Sequence, residues 1–164
     1  MEFISEAFGD DHDASAFDSG QPALDEWLRK SARHSDGRNL TRTYVWHRGD
    51  GIVVAYYSLM PFVIERETLT KKQGRGLVDH IPSYLIARLA LDGALHGQGL
   101  GSQVLADALT KAAVAADAVG GRLVVVDAID DNAAAFYRHH GFQAIGLDER
   151  RLVLPTKALR EFLP

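Results

Sequence analysis

The spacing of apolar residues changes period several times along this chain, and each change marks an element. Between residues 22 and 35, Leu24, Trp27, Leu28 and Ala32 recur at helical spacing and form one apolar stripe. Pro22 suits a first helical position and Asp25 and Glu26 favour the positive end of the dipole, while Arg29, Lys30, Arg33 and His34 follow near its end. Two strand-like runs come next, residues 41–47 and 52–60, joined by Arg48-Gly49-Asp50-Gly51, a hairpin signal. Residues 65–80 are charged and punctuated by Gly74 and Gly76, and read as an extension plus a loop. Residues 83–92 carry Tyr84, Ile86, Arg88 and Ala90 on one face and Leu85, Ala87, Leu89 and Leu91 on the other. Both faces are largely apolar, as in a central strand covered on both sides.

Leu100, Val104, Leu105, Ala108, Leu109, Ala112 and Ala116 then hold a helical period to about residue 119, where Gly120-Gly121 stops it. Residues 123–126 read as a short buried strand, and Asp130 and Asp131 as caps for a helix ending at Gly141. Residues 142–145 and 151–154 read as a closing strand pair, and 157–163 as a short terminal helix. The pattern is that of an α/β fold. No repeat, low-complexity tract or linker divides the 164 residues, so a single domain over 1–164 is expected.

Composition narrows the chemistry. The chain has no cysteine, which excludes disulfides, thiolate metal sites and a cysteine nucleophile. Its 18 basic and 22 acidic residues give a net charge of −4, so indiscriminate nucleic-acid binding through global charge is not expected. The most apolar stretch, residues 52–64, contains Ser58 and Pro61 and falls short of the roughly 18 residues a membrane span needs. The opening Met1-Glu2-Phe3-Ile4 shows no basic region followed by an apolar core. A soluble cytoplasmic protein is expected. Residues 9–18 are acidic and read as an exposed loop; Asp10, His12 and Asp13 lack a convergent second ligand set, so no metal is expected there.

The strongest chemical signal is a strand, a glycine-rich turn and a long helix in succession. Gly97, Gly99 and Gly101 remove three Cβ atoms, which lets backbone amides turn toward a ligand, and the helix adds its unpaired N–H groups and positive dipole end. This is a phosphate cradle. A nucleotide-hydrolysing P-loop would need Gly-Lys-Ser/Thr, and Gly101-Ser102-Gln103 lacks the lysine. A dinucleotide fingerprint beginning at Gly97 would need Gly or Ala where Ser102 stands, and the chain does not open with a βαβ unit.

Leu89-Ala90-Leu91-Asp92 followed by His96-Gly97-Gln98-Gly99-Leu100-Gly101 resembles motif A of the GNAT N-acetyltransferases, written Arg/Gln-x-x-Gly-x-Gly/Ala. Asn132, Phe136-Tyr137 and Gly141-Phe142 resemble that superfamily's next motif. His96 departs from the usual Arg or Gln. At finer grain, Leu24-Asp25-Glu26-Trp27-Leu28, Thr43-Tyr44-Val45, Tyr56-Tyr57-Ser58-Leu59 and Ala128-Ile129-Asp130-Asp131 resemble the tRNA-acetylating GNAT toxins of bacterial toxin–antitoxin pairs.

The resemblance implies a mixed, mostly antiparallel sheet with splayed central strands and helices on both faces. It implies acetyl-CoA as cosubstrate, with Leu89, Ala90 and Leu91 along the pantetheine arm and His96, Gly97, Gln98, Gly99, Leu100, Gly101 and Ser102 at the pyrophosphate. Asn132 and Phe136 would touch the cofactor from the next helix. Tyr137 would be the general acid, and its chemistry suits that role: a phenol of pKa near ~10 stays protonated at neutral pH, whereas a leaving thiolate has a conjugate pKa near ~8.5. His139 and His140 read as helix-end residues. No general base stands out. An α-amine of pKa about 7.7–8.0 is already partly neutral at pH 7 and a lysine near ~10.4 is not, so a site without a base favours an aminoacyl-tRNA or similar α-amine over a lysine side chain as acceptor. Arg33, Arg38, Arg42, Lys71, Lys72 and Arg75 are the candidate RNA contacts. The toxin resemblance further implies a ribbon-helix-helix antitoxin partner and a homodimer. The alternatives are an acetyltransferase of small amines or protein N-termini, and a non-catalytic acyl-CoA-binding module.

Overall fold

The computed structural model describes residues 2–146 and 148–163. Seven strands form one mixed sheet in the order β1-β2-β3-β4-β5-β7-β6, and the chain divides into two compact units. The first comprises 1–60 with 87–108, the second 61–86 with 109–164. Strands β3 (Ala55–Glu65) and β4 (His80–Leu91) and helix α4 (Leu100–Val119) each run from one unit into the other. Among the described residues, no helix is long and apolar enough to cross a membrane.

The first unit begins with β1 (Ile4–Ala7), which pairs antiparallel with β2 (Arg42–His47). All four β1 residues are exposed, so no apolar alternation announces the strand. The apolar stripe expected over 22–35 forms two helices, α1 (Pro22–Lys30) and α2 (Ala32–Gly37), rather than one. The break is at Ser31, whose φ of −125° leaves the helical region. Leu28 and Ala32, on either side of it, both enter one core with Phe17, Val45, Val53, Tyr56 and Ala90.

In the acidic stretch 9–18, Asp10, Asp11, Asp13 and Asp18 are exposed as expected, but His12, Ala14 and Phe17 between them are buried and fasten the segment to the fold. The Phe17 ring meets Tyr56 edge-on at 5.7 Å, and Arg33 lies over Phe8 at 4.2 Å. This segment also shortens the expected hairpin. Asp13 bridges Ile52 and accepts from Val53 N–H at 2.9 Å, so β3 starts at Ala55 and not at residue 52.

In the second unit, the stretch 65–80 is more ordered than its charge suggests. It holds a 3₁₀ turn at Arg66–Thr68 and α3 (Lys71–Gly74), closed by a capping box in which Thr70 and Gln73 satisfy each other's backbone N–H. Strand β5 (Leu123–Asp127) pairs parallel with β4 from Ser83↔Leu123 to Ile86↔Val126. That register ends there, and β4 continues to Leu91, the splay expected of the two central strands. Helix α5 (Asp131–His139) leads to β6 (Gln143–Ile145) and β7 (Asp148–Pro155), and β7 pairs antiparallel with β5 and β6. The terminal segment Thr156–Phe162 is a 3₁₀ helix. Ile64, Leu69, Ile81, Leu123, Val125, Ile145 and Val153 form this unit's core.

Candidate active site

In the first unit, β4 ends against a tightly cross-linked turn. Asp92 accepts from Ala94 N–H at 3.0 Å and so caps a 3₁₀ turn at Gly93–Leu95, which the buried Leu95 anchors. His96 then reaches back, and its Nε2–H donates to the Leu91 carbonyl at 2.7 Å. A carbonyl only accepts, so this contact fixes the proton on Nε2. The histidine standing where the superfamily has Arg or Gln therefore ties the loop to the strand end.

Gly97 and Gly99 follow with φ of +79° and +77°, the left-handed region that a side chain disfavours. A Cβ at either would meet no atom of the chain within 4 Å, so the concave side of the loop is open. Gln98 is exposed, and α4 begins at Leu100 with no acidic residue in its first turn to compete for its N–H groups. Leu89, Ala90, Leu91 and the whole of 96–102 are thus gathered into one strand end, turn and helix start. The arrangement fits a diphosphate.

In the second unit, Asp130 is the N-cap of α5, its carboxylate accepting from Ala133 N–H at 2.8 Å. Asn132 is therefore not needed at the helix start; it is exposed and its side chain makes no hydrogen bond among the described residues. Phe136 and Tyr137 lie one turn on. The Tyr137 ring is buried, packed edge-on against Phe136 at 5.3 Å and Phe142 at 5.5 Å. Its phenol hydroxyl has no hydrogen-bond partner among the described residues, and burial pushes its pKa well above the ordinary value. The group is a stored proton with no internal acceptor. His140 closes the helix against Phe136 at 4.9 Å, and burial and the neighbouring His139 lower its pKa.

The six candidate RNA contacts do not behave alike. Arg33 donates to the carbonyls of Gly9 (3.2 Å) and His12 (2.9 Å), and Arg42 to those of Asp36 and Thr41 and to Asn39 Oδ1. Both fasten the first unit's own backbone. Arg38 and Lys71 are exposed and unpaired among the described residues. Lys72 and Arg75 line a cavity of about 400 Å³, joined there by Arg122 and Lys157. None of these four cations has an ion pair or hydrogen bond among the described residues, and no carboxylate lines the cavity. Arg122 and Lys157 are isolated cations in the sequence, with nothing in their spacing to show that β-sheet geometry brings them beside the 72–75 turn.

Glu6, His12 and His47 converge as a metal site might, but their hydrogen bonds argue otherwise. Gly9 N–H donates to His12 Nδ1 at 2.9 Å and Gly49 N–H to His47 Nδ1 at 3.0 Å. Each neutral ring therefore carries its proton on Nε2, and both Nε2–H groups donate to Glu6 Oε1, at 2.9 and 2.6 Å. Neither histidine is left with a lone pair facing a cation. The hydrogen bonds from His12 and His47 lower the Glu6 pKa, so the tie stabilises the fold above the ordinary carboxylate value of about 4.3 and is lost as pH falls through the depressed one. Melting curves across that range should show a steeper acid fall for the wild type than for Glu6→Gln. Parallel falls would dismiss Glu6 as an acid-labile tie.

The family model of the acetyltransferase (GNAT) domain matches residues 39–144. A tRNA-acetylating toxin of Mycobacterium tuberculosis is 36% identical over 154 residues, 94% of this chain and 92% of that protein. Among solved structures, the toxin AtaT complexed with acetyl-methionyl-tRNAfMet superposes with a TM-score of 0.89 at 30% identity, covering 98% of each chain. A tyrosine-to-phenylalanine variant of AtaT bound to the C-terminus of the antitoxin AtaR and acetyl-CoA superposes with a TM-score of 0.84, again at 30% identity, covering 98% of this chain and 97% of that one.

Proposed function

The chain belongs to the GNAT acetyltransferase family, and from that membership we propose that its 164 residues act as one N-acetyltransferase domain on the α-amine of an aminoacyl-tRNA. Acetyl-CoA supplies the activated thioester. The residues from Leu89 to Leu91 run along the pantetheine arm, and residues 96–102, left-handed at Gly97 and Gly99 and leading into the first N–H groups of α4, hold the pyrophosphate. Asn132 and Phe136 contact the cofactor from α5. The neutral α-amine attacks the acetyl carbonyl, and the Tyr137 hydroxyl gives its proton to the departing sulfur as the carbon–sulfur bond breaks. The amine, only weakly basic as an aminoacyl ester, loses its proton to solvent, and solvent returns one to the Tyr137 phenolate, so the enzyme is restored and coenzyme A leaves as the thiol. Neither step needs a metal.

The observation that carries the RNA acceptor is the cavity ringed by Lys72, Arg75, Arg122 and Lys157 without an opposing carboxylate. Phosphates can gather there despite the net charge of −4. Lys71, in the same unit, is free to join them, Arg38 is an exposed and unpaired cation of the other unit, and Arg33 and Arg42 serve the fold. The likeness to a toxin bound to its antitoxin supports a protein partner that neutralises the enzyme, and we assign it to the ribbon-helix-helix class, with a homodimeric enzyme. Acetyl-CoA and charged tRNA as substrates make the cytoplasm its place of action.

The test is transfer of labelled acetyl from acetyl-CoA to charged and to deacylated tRNA, repeated across salt. Label should enter charged tRNA only, and KM should climb steeply with salt through counterion release. Good activity on a free polyamine or a peptide N-terminus with none on any charged tRNA would leave an acetyltransferase and remove the RNA reading. Cofactor binding without turnover on any amine would remove catalysis.

A further inference from the structure

Arg88 has a guanidinium that the mechanism above does not use. It lies on β4 immediately before Leu89, on the strand face that carries Ala90 into the core with Leu28, Ala32 and Tyr56. Its guanidinium carbon stands 3.9 Å from the centroid of the Trp27 ring, and Trp27 stacks on Tyr56 with centroids 6.2 Å apart and planes 14° from parallel. The platform is rigid, because the Tyr56 hydroxyl donates to the Leu24 carbonyl at 2.7 Å.

Several other arginines of this chain are satisfied internally, and Arg38, Arg75 and Arg122, which have no partner among the described residues, are exposed to solvent. Arg151 makes a two-pronged pair with Asp127, Arg66 pairs with Asp79, and Arg29 donates to the Phe17 carbonyl. Arg88 has no hydrogen bond and no ion pair among the described residues. The nearby carboxylate of Asp25 is buried and committed to Ser19, accepting from both its N–H and its hydroxyl. A half-buried guanidinium without a counter-charge carries a desolvation cost that the Trp27 ring face offsets only in part, and burial accordingly lowers its pKa. Held over the face of an indole, its fork of N–H donors is pre-oriented for an acceptor offering two oxygens.

The acceptor proposed above has no free α-carboxylate, because its amino acid is esterified; the anions common to every such acceptor are its phosphates. We propose that Arg88, oriented by Trp27, binds the phosphodiester next to the aminoacylated 3′ nucleotide and so seats the α-amine beside the end of β4. This rests on the RNA reading of the acceptor. Arg88 is then a substrate-binding residue and Trp27 a positioning one.

Two minimal substrates isolate the contact: 3′-O-aminoacyl adenosine and its 5′-monophosphate. The wild type should favour the phosphorylated ester in kcat/KM by about 10- to 100-fold. Arg88→Gln should bring that ratio to about one, and Arg88→Lys, which keeps the charge and loses the fork, should restore part of it. On full charged tRNA, Arg88→Gln should also flatten the slope of log KM against log salt by roughly 0.7, one single-strand phosphate. Equal turnover of both esters by the wild type, an equal loss on both in Arg88→Gln, or an unchanged salt slope would each overturn the proposal while the RNA reading stands. Failure of the wild type on both esters and on every charged tRNA would instead overturn the RNA reading, and this proposal with it.

Discussion

Tyr137→Phe is expected to lower kcat by about 10²- to 10⁴-fold with little change in acetyl-CoA affinity. The substitution is unusually clean. The ring that packs against Phe136 and Phe142 is kept, and the hydroxyl it removes has no hydrogen bond inside the described fold, so stability should not move. A lost rate therefore reports a lost proton. Burial raises the phenol's pKa, so it stays protonated throughout the working range. The sign of the pH dependence follows: the rate climbs as the acceptor amine deprotonates, below about pH 8, and holds flat past pH 10 where an ordinary tyrosine would ionise. Single-turnover rates of both proteins from pH 6 to 10.5 check this. Near-native turnover by the variant, or an alkaline fall below pH 10 in the wild type, would remove Tyr137 from the role.

The second large effect belongs to Gly99→Val, which should weaken acetyl-CoA binding by about 10- to 100-fold. At φ of +77° a β-branched residue is strained by roughly 1–3 kcal/mol, so the loop must rearrange. Its side chain would enter space that no atom of the chain occupies. The damage falls on whatever fills that space, and calorimetric titration with acetyl-CoA reads it. Gly99→Ala should fall between the two. Wild-type affinity in Gly99→Val would mean that the diphosphate lies elsewhere.

What could be read from residue order was whatever is local. The glycine turn, the long helix behind it and the doubly apolar strand before it depend on neighbours within a few positions, and all three stand where expected. So do α5 and the cap at Asp130. Strand β1 escaped because an exposed edge strand needs no apolar alternation, and α3 escaped because its capping box lies inside a charged stretch. The break at Ser31 was invisible for the opposite reason: the apolar stripe runs through it unbroken. For the site, sequence pointed to cations but not to their partners. Arg33 and Arg42 look as free as Lys72 and Arg75 until backbone carbonyls from the 9–12 and 36–41 turns arrive beside them. Arg88 looks like an ordinary polar position in a strand until Trp27 comes to lie beneath it.

The division of the chain into two interleaved units governs the order in which it can fold during synthesis. The first sixty residues leave the ribosome with Leu28, Ala32, Val45 and Tyr56 ready to pack, yet Ala90 of the same core does not exist, nor does the N–H of Asp92 that caps the Val54 carbonyl. At 5–20 residues per second, residues 61–108 take roughly 2–10 s to be made. Through that interval the nascent chain exposes an unfinished apolar surface, and the unit closes only as the strand end and glycine turn of the candidate site emerge. The strand end that leads into the candidate cofactor loop is thus also the segment on which the first sixty residues wait. A lesion at Ala90 is therefore expected to trap the newborn chain before it has any activity to lose, whereas one at the exposed Gly99 is not.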